Sequence, residues 1–212
     1  MITPNTLTKR AGLLALLSCV FLATPDASAR EYRITLGGGG TAIADNGLLA
    51  VTDSTWLAGA DLGFMVEIGG GALLGARIRG ASGASDFNTA SQDQSALVGV
   101  LDLMAVGRFH HEVTRWFRPF VEVEGGATQG AVTFERADKS DEVWGGMVAG
   151  TAGVEFRLPP GLLFGGEFSI GLDLAGGYIW RSTFDFDDVG GVDLGSLDLK
   201  GPYFRVAVSA MW

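Results

Sequence analysis

The chain has 212 residues, 33 of them glycine and one a cysteine, with 15 lysines and arginines against 24 aspartates and glutamates for a net charge of −9. Such an acidic surface repels nucleic acid, and a lone cysteine excludes a disulfide framework. Abundant glycine, six prolines and a mean hydropathy of +0.28 form a mixture that soluble globular domains seldom show.

The first predicted element is a leader. Lys9 and Arg10 precede an apolar run from Ala11 to Ala23, and Pro25 and the small residues Ala27, Ser28 and Ala29 follow it. This is the three-part layout of a secretory signal peptide, so residues 1–29 are predicted to be removed and 30–212 to form the mature domain. The run is well short of the roughly 20 apolar residues that a membrane-crossing helix needs. Cys19, in "LLSC", resembles a lipobox cysteine, but the apolar "VFLA" beyond it does not suit a lipoprotein. Without Lys9, Arg10 and Asp26 the mature chain keeps 13 basic and 23 acidic residues, a net charge of −10, and has no cysteine.

Beyond the leader the period of the apolar residues is two, the signature of half-buried strands. Eight alternating segments are predicted, at roughly 31–41, 54–68, 72–83, 95–109, 116–128, 142–158, 161–175 and 199–212. Short connectors at Gly69 to Gly71, His110 to Arg115 and Pro159 to Gly161 alternate with longer polar ones around 42–53, 84–94, 129–141 and 176–198. Tight turns at one end and longer loops at the other are what an all-β, eight-stranded antiparallel up-and-down transmembrane β-barrel produces.

The charges decide which face is which. Arg33, Asp61, Glu67, Arg77, Arg79, Asp102, Arg108, Arg118, Glu122, Glu124, Glu155, Arg157, Glu167, Asp173 and Arg205 all share one parity within their own strands. Away from the segment ends the opposite parity carries only apolar or small residues, among them Leu74, Ile78, Leu103, Val121, Val148, Phe168, Ile170, Leu172 and Leu174. A bilayer penalises an outward Arg or Lys by about 2–4 kcal/mol at its midplane, so the charged parity is assigned to the lumen. The fourth segment is the least distinct, because Val98, Val100, Met104 and Val106 make its inner face nearly as apolar as its outer one. Trp56 and Trp144 fall near the loop end, and Phe109, Phe117, Phe156, Phe164 and Trp212 near the turn end, where amphipathic rings suit the headgroups.

With the leader, the eight alternating segments and the terminal "FRVAVSAMW", the chain resembles the small eight-stranded bacterial outer-membrane barrels represented by OmpX, the OmpA transmembrane domain and opacity-type proteins. The resemblance covers nearly all of the mature chain. It implies an outer-membrane location with both termini periplasmic, and contact with outer-membrane lipid and lipopolysaccharide. It further implies that Phe204, Val206, Val208, Ala210 and Trp212 form the C-terminal signal read by the barrel-assembly machinery, with Trp212 in place of the usual Phe.

No constellation carries catalytic chemistry. A serine hydrolase needs an imidazole beside its nucleophile, and His110 and His111 both fall in a predicted turn. Asp185, Asp187, Asp188, Asp193 and Asp198 offer hard oxygens in a spacing that fits no EF-hand, so the segment is read as a solvated acidic loop. "GGGGT", Gly37 to Thr41, lacks the basic residue of a phosphate cradle and is read as the loose end of the first strand. No cofactor is expected. Eight strands leave a lumen only wide enough for side chains, so the inward ions are predicted to pair and plug it. The expected role is structural or adhesive, through acidic loops and an unidentified external ligand. A narrow conduit for ions or small apolar molecules is the alternative, and a lipid A-modifying enzyme a third reading.

Overall fold

The computed structural model of the protein describes residues 31–43, 56–89, 92–134, 139–160, 168–186 and 196–212. The predicted leader, Leu162, Phe164, Glu167, Asp187, Asp188 and Asp193 lie outside them. Among the described residues ten strands follow in chain order: β1 Tyr32–Ala42, β2 Trp56–Gly69, β3 Ala72–Thr89, β4 Gln92–His110, β5 Phe117–Phe134, β6 Lys139–Arg157, β7 Ser169–Arg181, β8 Phe184–Asp185, β9 Ser196–Leu197 and β10 Gly201–Met211. β1 to β7 and β10 close into one antiparallel barrel in the order β1-β10-β7-β6-β5-β4-β3-β2, and β8 pairs with β9 as a separate hairpin. Closure is what the alternation demands, since an open edge would leave backbone N–H and C=O groups unpaired against lipid.

The termini of the barrel meet at its turn end. The Tyr32 N–H donates to the Trp212 carbonyl at 2.9 Å, the Trp212 N–H returns to Tyr32 at 3.1 Å, and their rings stack. The tightest turn, Gly69 to Gly71, has positive φ at all three residues, a conformation only glycine adopts without strain. Alternation then places residues as the charge pattern requires. Along β10 the lumenal Tyr203, Arg205, Ala207, Ser209 and Met211 are buried, whereas Phe204, Val206, Val208 and Trp212 are exposed. Outside, Leu36, Leu62, Leu74, Ile78, Val121, Val123, Val148, Leu172 and Leu174 form an apolar belt. Tyr32, Phe109, Trp116 and Phe156 flank it at the turn end, and Trp56, Trp144 and Trp180 at the loop end.

Three expectations need correction. Residues 84–94 and 129–141 are for the most part strand, since the β3–β4 register runs to Thr89↔Gln92 and that of β5–β6 to Phe134↔Lys139. Beyond the bilayer the outer face of a strand need not be apolar, so the alternation that marks a strand disappears while the pairing continues. The seventh strand, Ser169–Arg181, runs on beyond its predicted end at 175, and Ile170 pairs with Ala210 near the turn end; the predicted start over 161–167 lies outside the described residues. "GGGGT" is not loose: Gly37 to Thr41 pair with β2 on one side and β10 on the other.

Candidate functional site

The candidate site is the lumen. Of the fifteen charges predicted to face it, Arg33, Asp61, Arg77, Arg79, Asp102, Arg108, Arg118, Glu122, Glu124, Glu155, Asp173 and Arg205 are buried. Arg157 and Glu67 are half-buried near the turn end, and Glu167 lies outside the described residues. Pairs of up to 4.0 Å join these ions, Arg118 by way of Glu31, into one connected net whose arginines stand on five strands. Arg108 donates from Nε to Glu122 and from Nη2 to Asp173, both at 2.9 Å. Arg77 donates to Glu122 at 2.6 Å and also to Glu124, which Arg79 reaches at 2.5 Å. Arg205 grips Asp61 with two bonds of 2.8 and 2.6 Å, and Arg33 meets Glu155 at 2.5 Å. Two-pronged guanidinium–carboxylate bonds such as that of Arg205 with Asp61 offset part of what the ions lose in hydration.

The glycine of one strand makes room for the pair of two others. A Cβ on Gly37 would lie 2.5 Å from Asp61 Oδ2 and 3.1 Å from Arg205 Nε, so the Asp61–Arg205 pair is pressed flat against β1 there. At the turn end Glu31, just before β1, accepts from Arg33 at 2.7 Å, Arg157 at 2.8 Å and Arg118 at 3.3 Å. Burial pushes its carboxyl up, but the guanidiniums of Arg33, Arg157 and Arg118 outweigh that and hold it down at about 2. Glu31 shares the parity of Arg33 but is the first residue of the predicted segment 31–41, where pattern alone does not separate strand from connector, and so it and its three-arginine clasp escaped the sequence reading.

Toward the loop end the lumen changes character. Ile43, Leu57, Val98, Val100 and Val132 line the wall, and Phe184, Phe186, Leu197 and Leu199, from the β8–β9 hairpin and its flanks, fill the space between them. The expectation of a solvated acidic loop is therefore wrong for its two ends: Asp185 and Ser196 point out, while the residues beside them are buried. The alternation was present in "FDF" and "LDL", but the aspartates between the apolar residues made both read as polar. A Cβ on Gly130 would lie 2.8 Å from Phe184 Cδ1, so the ring sits face-down in a hollow that only glycine leaves.

Arg181, assigned by the sequence to a loop, ties the two layers together. It is buried and donates from Nε and Nη2 to Asp102 at 3.1 and 2.7 Å, and from Nη1 to the Leu199 carbonyl at 2.7 Å. Asp102 also accepts from Thr128 at 2.7 Å. Below Leu57 a cavity of about 20 Å³ is lined by Asp61, Arg79, Tyr203 and Arg205, room for about one water molecule. Of the two histidines, His111 is exposed in the turn, whereas His110 is buried at the end of β4. No group of three or more metal-ligating side chains occurs among the described residues.

No protein-family model matches the chain, and no curated protein matches it in sequence. Among solved structures it is similar to Neisserial surface protein A, with a TM-score of 0.54 at 10% identity over 89% of this chain and 100% of that one. It is also similar to Ail of Yersinia pestis (0.48, 14% identity, 86% and 98% covered) and to the N-terminal barrel of Pseudomonas aeruginosa OprF (0.39, 14%, 86% and 97%). The chain has the fold of the small eight-stranded outer-membrane β-barrels.

Proposed function

We propose that the protein is an integral outer-membrane barrel that acts by recognition at the cell surface and neither conducts solutes nor catalyses a reaction. The observation that carries this reading is the unequal height of its wall. β3–β4 and β5–β6 pair out to Thr89↔Gln92 and Phe134↔Lys139, whereas β7 ends at Arg181, opposite Met147 of β6. Among the described residues four strands, β3 to β6, thus run on past the ends of their neighbours as one sheet, a platform of the kind on which binding residues are held. The filled lumen supports the same reading. Val98, Val100 and Met104, which make the inner face of the fourth segment apolar, are packed against other side chains.

In this orientation the loop end faces outward, the Tyr32–Trp212 closure lies at the periplasmic rim, and the apolar belt contacts outer-membrane lipid and lipopolysaccharide. The outward row Phe204, Val206, Val208, Ala210 and Trp212 is then available to the barrel-assembly machinery before closure. Shortening both tall hairpins, by removing 86–93 and 132–140, tests the reading in cells that display the barrel. Binding to host-cell or matrix surfaces should fall to background while the heat-modifiable folded form persists. Undiminished binding would refute it.

A further inference from the structure

Beyond surface recognition, we propose that the turn between β4 and β5, His111 to Trp116, is a docking site for an anionic phospholipid, whose phosphate is taken by the Arg115 guanidinium beside the Trp116 ring. That the lipid belongs to the periplasmic leaflet rests on the orientation proposed above; the site itself does not. The observation that carries it is a cation left over. Among the described residues every arginine but Arg115 is paired with a carboxylate. Arg115 stands exposed in the turn of an acidic chain, with its guanidinium over the Trp116 ring, 4.9 Å from the centroid. Stacking engages the face of the guanidinium and leaves its in-plane N–H donors free, the fork with which arginine takes a phosphate by two parallel bonds.

The turn beneath this pair is fixed. Thr114 and Phe117 exchange backbone bonds of 3.3 and 3.2 Å, the Trp116 N–H donates to Thr114 Oγ1 at 3.3 Å, and the Trp116 carbonyl accepts from the Arg157 N–H at 2.9 Å. Glu112, the carboxylate of the turn, accepts from Arg118 at 2.7 Å, so the turn's own anion is neutralised by another cation. Depth selects a lipid over a soluble anion. Trp116 directly precedes Phe117, whose ring packs 5.6 Å from that of Phe156 where the apolar belt ends. The Trp116 ring is 42% exposed and Val113, in the same turn, 56%. An exposed indole at the edge of the belt lies at headgroup level, and the guanidinium stacked on it is thereby held among the lipid phosphates.

The test uses the mature barrel in micelles of a neutral maltoside detergent, with the NMR signal of the Trp116 indole N–H, assigned by Trp116→Phe, as the readout. Dihexanoylphosphatidylglycerol and dihexanoylphosphatidylcholine are titrated in parallel. From the usual strength of one basic residue near an anionic headgroup, phosphatidylglycerol should bind about fivefold more tightly. Arg115→Gln should make the two lipids equal while heat-modifiable mobility stays unchanged, and Lys200→Gln, a cation at the loop end, should leave the preference intact. Glycerol 1-phosphate, the same headgroup without chains, should move the signal only at far higher concentration. A signal that neither lipid moves, equal affinities in the wild type, a preference that survives Arg115→Gln, or one lost equally in Lys200→Gln would overturn the site. Glycerol 1-phosphate as potent as the lipid would overturn a lipid as its occupant. Failure on any count leaves the orientation and the platform reading intact, since the measurement concerns one turn in a micelle without leaflets.

Discussion

At Arg108 and Glu122 the lumen of this barrel is filled by paired ions, whereas eight to ten residues further along the same strands, at Val100 and Val132, it is filled by hydrocarbon. The two layers also differ in origin. Each ion stands on a wall strand and finds its partners on other wall strands, whether adjacent, as Arg108 and Glu122, or further round the tube, as Arg108 and Asp173, so the charged layer is complete once the barrel closes. The apolar layer is completed only when Phe184, Phe186, Leu197 and Leu199 fold in from a connecting segment. One layer is built from the wall strands alone; the other needs a connecting segment folded in against them.

The sharpest way to break this contrast is to remove one ion from the first layer. Glu122→Ala removes an acceptor that Arg77 and Arg108 share, leaving them Glu124 and Asp173, and loss of one partner from a buried pair costs up to about 3–5 kcal/mol. Urea titration in lipid vesicles should show that loss in the global transition. An unchanged midpoint would mean the net is incidental to the barrel. Slightly smaller is the effect of placing a charge on the wrong side of the same wall. Leu174 lies outside, paired with Val206 and Val154 near the middle of the strands, so Leu174→Arg should cost about 2–4 kcal/mol, although Arg205 one register position away is accommodated inside. A neutral outcome would exchange inside and outside.

This face assignment is the part of the molecule most legible in the sequence. Bilayer contact forbids charge on one parity, so fifteen ions spread over eight segments left one consistent answer. The signal fails wherever the bilayer stops enforcing it. Above the belt, residues such as Gln129 and Glu142 are hydrogen-bonded on the outer face of paired strands, and a polar outer face reads as a loop. The docked hairpin was missed for a related reason. Asp185 and Asp198 alternate with residues that face the lumen, and their charge outweighed a period of two only three residues long. Nor does periodicity announce Arg181: it is the last residue of a strand that the sequence ended six positions earlier.

The second layer is probed more gently. Gly130→Ala puts a methyl group where Phe184 lies, an overpacking of about 1–3 kcal/mol. If docking is separate from closure, limited proteolysis within 182–200 should accelerate while the urea midpoint of the barrel hardly moves. A global shift with no change in proteolysis would merge the two layers into one cooperative unit. The smallest effect belongs to the turn-end clasp. A carboxyl held at about 2 stabilises the fold fully above its ordinary value of 4.5 and loses that contribution as the pH falls through about 2. Glu31→Gln should therefore lower stability at neutral pH by about 1 kcal/mol, and the deficit should vanish below about pH 2. A deficit that persisted into acid would trace to packing and not to charge.

Planar-bilayer recording tests most directly the claim that two successive layers close the lumen. The wild-type barrel should insert without a steady open-channel conductance. Phe184→Ala should stay equally silent, because the ion pairs of Arg77, Arg108 and Arg205 remain in place beneath the emptied hollow. A stable ohmic conductance from the wild type would contradict both layers, and one that appeared only in Phe184→Ala would show that the charged layer is no barrier by itself.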